Sequence, residues 1–148
     1  MKKNNRVRIL LNIALLVYIL VVLYITLLNR ETTEQRYSFD LFYSYILLFK
    51  YKNDFYYDMI FYNILMLIPF GFLVPVLHPR CRKLSNILLL SFLFSLVIEV
   101  IQYITGRGLF EADDLFNNTI GGITGYFIYF TASRIWILLS RKRSKKYP

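Results

Sequence analysis

The sequence is poor in the residues that build disulfide staples and metal centres. Across 148 residues it has one cysteine, Cys81, and one histidine, His78. A lone thiol cannot close a disulfide within the chain. The two residues lie close together in the basic segment HPRC, but two donors fall short of the four a structural zinc ion takes, so no metal or other cofactor is expected. Acid is also scarce: nine aspartates and glutamates stand against eighteen lysines and arginines, a formal charge of +9. Such an excess suits nucleic acid when it lines one polar face. Here the basic residues flank apolar runs instead, a placement that argues for a bilayer and against a nucleic-acid partner. There is no internal repeat, and no low-complexity segment besides the basic tail RKRSKK.

What the chain has in quantity is apolar surface. It is 57% hydrophobic, where a soluble domain would be roughly 45–50%. The excess is arranged in runs at residues 9–28, 59–77, 86–104 and 117–136, each close to the ~20 residues that cross about 30 Å of hydrocarbon. A backbone in lipid must satisfy its own polar groups, so each run is expected to be helical. The expected fold is a single all-α membrane domain over residues 1–148 with four transmembrane helices. The first run is longer than a signal-peptide core and lacks a small-residue cleavage site, so it reads as an uncleaved span. Leu41 to Phe49, LFYSYILLF, is too short to cross and reads as a short interfacial or re-entrant helix between the first two spans. Pro69 and Pro75 predict a kink in the second span. Asn12, in the first, is expected to bond to a neighbouring helix.

Charge sets the expected orientation. Lys2, Lys3, Arg6 and Arg8 precede the first span, Arg80, Arg82 and Lys83 lie between the second and third, and the basic tail follows the fourth. With four crossings these segments share one face, and the positive-inside rule makes it, and both termini, cytoplasmic. Glu31, Glu34, Asp40, Asp54 and Asp58 then fall in the first outer loop, and Glu111, Asp113 and Asp114 in the second. The localisation this implies is a multi-pass protein of the cell membrane.

Only Glu99 places a carboxylate inside an apolar run. Ser95, Glu99 and Gln102 are spaced i, i+4, i+7 and share one face of the third span. The fourth span begins with a matching stripe, Asp114, Asn118, Gly121 and Gly125, whose two glycines form the GxxxG pattern of close helix contact. The connector TGRGLFEADD supplies one cation, Arg107, expected to be drawn among Glu99, Glu111, Asp113 and Asp114. Asn63 lies near the same outer end of the second span. Together these residues predict a polar cluster in the outer half of the bundle, roofed by a short loop.

At these residues the chain resembles the VanZ-like membrane proteins. The matching pieces are N63-I-L-M-L-I-P69-F70-G71, then E99-V-I-Q102 with R107, then D113-D114-x-x-x-N118-x-x-G121-x-x-x-G125. The resemblance covers about residues 37–130. It implies a small integral membrane protein of the bacterial cell envelope, in a family named for a protein linked to teicoplanin resistance in Gram-positive bacteria.

Three functions are compatible with the pattern. The first is binding: Glu99, Gln102, Arg107, Asp113, Asp114, Asn118 and Asn63 would line an outward-facing site for an anionic envelope lipid or peptidoglycan precursor, lowering susceptibility to teicoplanin-type glycopeptides. The guanidinium fork matches a phosphate. The second is catalysis on an envelope lipid, with Glu99 and Asp114 as acid and base, although no set of nucleophile, base and orienting residue stands out. The third is structural: the cluster staples the third and fourth spans, with Gly121, Gly125, Pro69 and Gly71 serving helix packing. The bilayer is the expected partner, with a homo-oligomer as a further assembly, since four helices make a small transporter.

Overall fold

In a computed structural model the described residues are 2–30 and 37–146, with side chains described for residues 5–30 and 37–142. Glu31 and Glu34, assigned above to an outer loop, lie outside them. Helix α1 spans Lys2–Leu23 and continues as a π-helical turn over Tyr24–Leu28. A short helix α2 covers Tyr43–Tyr51, α3 covers Asp54–Leu77, α4 covers Leu84–Thr105 and α5 covers Ala112–Lys146. Two short strands, β1 (Tyr37–Ser38) and β2 (Phe110–Glu111), pair in parallel.

Four of the helices, with limits Asn5–Leu28, Asp54–Leu77, Leu84–Thr105 and Ala112–Lys142, are long and apolar enough to cross a membrane. This is the all-α membrane fold expected from the sequence. The helices extend past the apolar runs because their polar ends are capped. Asn53 Oδ1 accepts from Phe55 N at 3.0 Å and starts α3 five residues before its apolar run. Gly106, at φ 63°, closes α4 in a Schellman turn, with Arg107 N donating to the Gln102 carbonyl at 2.9 Å. The residues that stay exposed are mostly large and apolar, among them Leu10, Leu16, Leu89, Val97 and Phe127, as a surface facing lipid requires.

The most extensive pairing is between α3 and α5, and it is made possible by missing side chains. A Cβ on Gly121 would collide with the Ile64 carbonyl, one on Gly125 with the Ile68 carbonyl, and one on Gly71 with the Gly122 carbonyl. The glycine pattern that the sequence set between the third and fourth spans therefore docks the fourth onto the second. Close backbone approach of this kind brings Cα–H groups to carbonyl oxygens. Gly122 also turns toward α4, where a Cβ would meet the side chain of Ser91.

Helix α3 runs unbroken through Pro69 and Pro75. Each proline leaves the carbonyl four residues earlier without its helical donor. Pro79 does the same to the Pro75 carbonyl, and Arg82 Nε fills that place at 3.3 Å. Near Pro69 the Tyr18 hydroxyl donates to the Met66 carbonyl, tying α1 to the middle of α3. Asn12 does not reach a neighbouring helix: its Nδ2 donates to the Arg8 carbonyl one turn back, at 2.8 Å.

Candidate functional site

The end of the bundle where α1 and α4 finish and α3 and α5 begin carries a dense set of buried polar groups. Glu99, Gln102 and Asn118 are each 1% exposed, Asp113 3% and Asp114 5%. Ser95 and Asn117 are buried with them. Unpaired polar groups at such depth are costly, and most of these are spent on holding one element to another.

The C-terminal carbonyls of α1 have no further helical donors. Side chains from α4 and its connector take them up: Gln102 Nε2 donates to the Thr26 carbonyl at 2.9 Å and Arg107 Nη1 to the Leu27 carbonyl at 3.1 Å. Asn63 Nδ2 donates to Asp114 Oδ1 at 2.5 Å, joining α3 to α5. Asn118 Nδ2 donates to Ser95 Oγ at 2.9 Å, joining α5 to α4. Glu99 Oε2 accepts from Glu111 N at 3.0 Å and ties α4 to β2.

Helix α2 forms a roof, and α5 holds it. Phe42 precedes α2 in the left-handed region, φ 66°, and offers no side-chain cap of its own. The cap comes from Asp113, whose Oδ1 accepts from Phe42 N at 2.5 Å and Oδ2 from Ser44 N at 2.7 Å. Tyr45 hydroxyl donates to Asn117 Oδ1 at 2.5 Å, and the rings of Phe42 and Phe116 pack edge to face at 5.2 Å. Burial, with the negative charge of Asp113 adding to it, raises the Tyr45 pKa. Asp113, predicted to bind a ligand, is thus occupied as a helix cap.

A cation that bears on the carboxylates is Arg30, an exposed residue that the sequence pattern does not single out. Its charge acts on Glu99, Glu111 and Asp114. Its Nη1 lies 3.1 Å from where a Cβ on Gly108 would stand, and the side chain of Gln102 lies 3.3 Å from the same point. Arg107, expected in this place, turns instead to the end of α1. The physical reason is local: the Schellman turn at Gly106 leaves Arg107 beside the uncapped carbonyls of α1. Glu111 is half-buried, and its carboxyl is pushed above the usual range by burial and by Asp113, with Arg30 opposing. Among the described residues no group of three or more histidine, cysteine, aspartate or glutamate side chains is placed to hold a metal ion.

A four-helix membrane bundle whose one end is sealed by buried carboxylates, carboxamides and a guanidinium defines the class of protein. Across residues 15–137 the sequence matches the VanZ/LLP1 family, and the chain belongs to that family. It is 34% identical over 67 residues to Protein VanZ of Enterococcus faecium, a stretch that makes up 45% of this chain and 41% of that protein. The match thus spans about two-fifths of the relative's length. No solved structure matches the chain.

Proposed function

We propose that this protein is a cell-membrane protein of the bacterial envelope, with both termini cytoplasmic and the polar end of the bundle facing outward. In this reading it lowers susceptibility to teicoplanin-type glycopeptides by binding a phosphate-bearing envelope lipid or peptidoglycan precursor. The placement of basic residues supports the orientation: Arg80, Arg82 and Lys83 follow α3 at the end away from the cluster, as the positive-inside rule requires. The observation that carries the binding reading is Arg30, an exposed residue whose charge acts on Glu99, Glu111 and Asp114. A planar, permanently charged fork fits a phosphate, and ionisable groups inside a membrane bundle are functional-site candidates by default.

The test is expression of the wild type, Arg30→Ala and an empty vector in a sensitive Gram-positive host, with the two proteins at matched membrane levels. The wild type is expected to raise the inhibitory concentration of teicoplanin and the Arg30→Ala variant to return it to the vector's value. A wild type that behaves like the empty vector removes the resistance reading. A variant as protective as the wild type removes Arg30 from it.

A further inference from the structure

A cleft of about 720 Å³ opens where α2 turns into α3, lined by none of the residues of the buried cluster. Its size is within the range of small-molecule sites, about 300–1,000 Å³. Tyr43, Leu47 and Tyr51 line it from α2, spaced i, i+4, i+8 along one side of that helix. Tyr45, two residues on from Tyr43, points the other way and donates to Asn117. Tyr56 completes the lining from the start of α3, with Lys52 and Asp54 at the turn itself. Asn53, also in the lining, spends its Oδ1 on capping α3 and keeps its amide nitrogen for other partners.

These tyrosines differ from a belt of interfacial anchors, because their rings bound a concavity. Among the described residues their hydroxyls make no hydrogen bond, and the Lys52 and Asp54 side chains form no ion pair. Lys52 holds φ 48°, a left-handed conformation that a glycine would take without strain. Strained residues of this kind gather at ligand sites. In the orientation proposed above, Lys52 is also a cation on the face that the positive-inside rule leaves poor in them. The Lys50 ammonium lies 5.2 Å from the centroid of the Tyr51 ring and steadies it.

The lining selects a chemistry. Leu47 is its one aliphatic side chain, too little for an acyl chain. Lys52 is its one cation and is balanced by Asp54, which does not suit a polyphosphate. What remains is flat ring faces edged by groups that donate and accept. A sugar has the matching pattern: a face of C–H groups and a rim of hydroxyls that do both. Asp54 lies five residues ahead of Met59, where the apolar run of α3 starts. The cleft therefore stands roughly 7 Å outside the hydrocarbon, at the depth of lipid headgroups.

We propose that this cleft is a carbohydrate site, in which Tyr43, Tyr51 and Tyr56 stack on sugar faces while Lys52, Asp54 and the Asn53 amide hold the hydroxyls. The site is separate from Arg30 and stands or falls independently of the phosphate reading above. A glycan borne on a lipid headgroup and a free glycan chain offer it the same chemistry.

The experiment places the full-length protein in phosphatidylcholine nanodiscs, since maltoside detergents would themselves bring sugars. Maltotriose and triacetylchitotriose are the free probes, titrated by saturation-transfer NMR against sorbitol, a polyol without a flat ring face. Glucosyl-diacylglycerol against plain diacylglycerol, read by native mass spectrometry, is the lipid-borne probe. Binding of at least one trisaccharide but not of sorbitol is expected for a free-glycan source. Retention of the glucosyl lipid about tenfold above diacylglycerol is expected for a lipid-borne one. Tyr51→Ala and Lys52→Gly should each weaken binding about tenfold, the loss of one aromatic face or of one hydrogen bond from a charged group. Lys52→Gly relaxes the turn, so it serves as the test if Tyr51→Ala fails to fold. Arg30→Ala should leave sugar binding unchanged. A wild type that prefers neither sugar probe over its sugar-free control overturns the proposal. Sugar binding that survives in folded Lys52→Gly overturns it too, as does binding abolished by Arg30→Ala.

Discussion

Asp113 and Ser44 meet across two helices: Asp113 Oδ2, in the first turn of α5, accepts from Ser44 N in the first turn of α2, at 2.7 Å. With the second oxygen on Phe42 N, one carboxylate supplies the N-terminal cap that α2 lacks and holds Phe42 in a conformation that non-glycine residues seldom adopt.

Replacing Asp113 with alanine strands both N–H groups. A lost cap of this kind costs about 1–2 kcal/mol, and the loss falls locally on α2. Hydrogen–deuterium exchange should show Phe42 and Ser44 losing protection while α3 and α5 keep theirs. Asp113→Asn keeps one acceptor and should lie between. Unchanged protection in Asp113→Ala would mean that α2 is held by its ring contacts alone.

The glycines make a prediction that distinguishes backbone from side-chain crowding. Gly121→Ala drives a methyl into the Ile64 carbonyl, and Gly122→Ala drives one into the Ser91 side chain. Both should lower the melting temperature in detergent, by the equivalent of about 1–3 kcal/mol for overpacking. Ser91→Gly should rescue Gly122→Ala, because it deletes the obstructing atoms. No side-chain change in α3 should rescue Gly121→Ala. Equal rescue of both would place the α3–α5 contact elsewhere.

The two arginines should part company. Arg107 donates to the Leu27 carbonyl, so Arg107→Ala should cost roughly 1.5–3 kcal/mol of stability, the worth of a hydrogen bond from a charged group. Arg30 is exposed and bears on the carboxylates, so Arg30→Ala should leave the melting temperature close to wild type while altering ligand binding. Thermal melts and lipid retention on the same preparations separate the two. The reverse pattern would restore Arg107 to the site.

Glu111 predicts a pH dependence. Burial and Asp113 raise its folded pKa above the ordinary carboxylate value. The folded state therefore holds this proton more tightly than the unfolded chain does. The stability linked to it is full below the ordinary value and is lost as pH rises through the raised one. Melting curves taken from the ordinary glutamate pKa upward should show that fall in the wild type. Glu111→Gln should flatten it. An equal slope in the variant would assign the effect to other carboxylates.

The contrast between Arg107 and Arg30 shows what the sequence could and could not reveal. The four spans were legible because their apolar runs have the length a bilayer demands, a property each segment carries by itself. The stripes Ser95–Glu99–Gln102 and Asp114–Asn118 were legible because helical periodicity puts them on single faces. Periodicity names a face and not its neighbour, so the GxxxG seam was set against the third span although it packs on the second. Arg107 attracted attention by standing near the acids in the chain. Arg30 follows the far end of α1, and only the docking of α1 against α4 brings it to the carboxylates. The cap from Asp113 to α2 was hidden for the same reason, since its partners are Phe42 and Ser44, far away in sequence.

Helix α5 is the least apolar of the four spans, and its first turns carry Asp113, Asp114, Asn117 and Asn118. Left to partition on its own, such a segment would enter a bilayer reluctantly. Its glycine edge fits against α3, which the ribosome delivers earlier. The close fit of that edge offsets for α5 some of the cost its polar first turns bring, so the burial of the polar end and the glycine seam depend on each other.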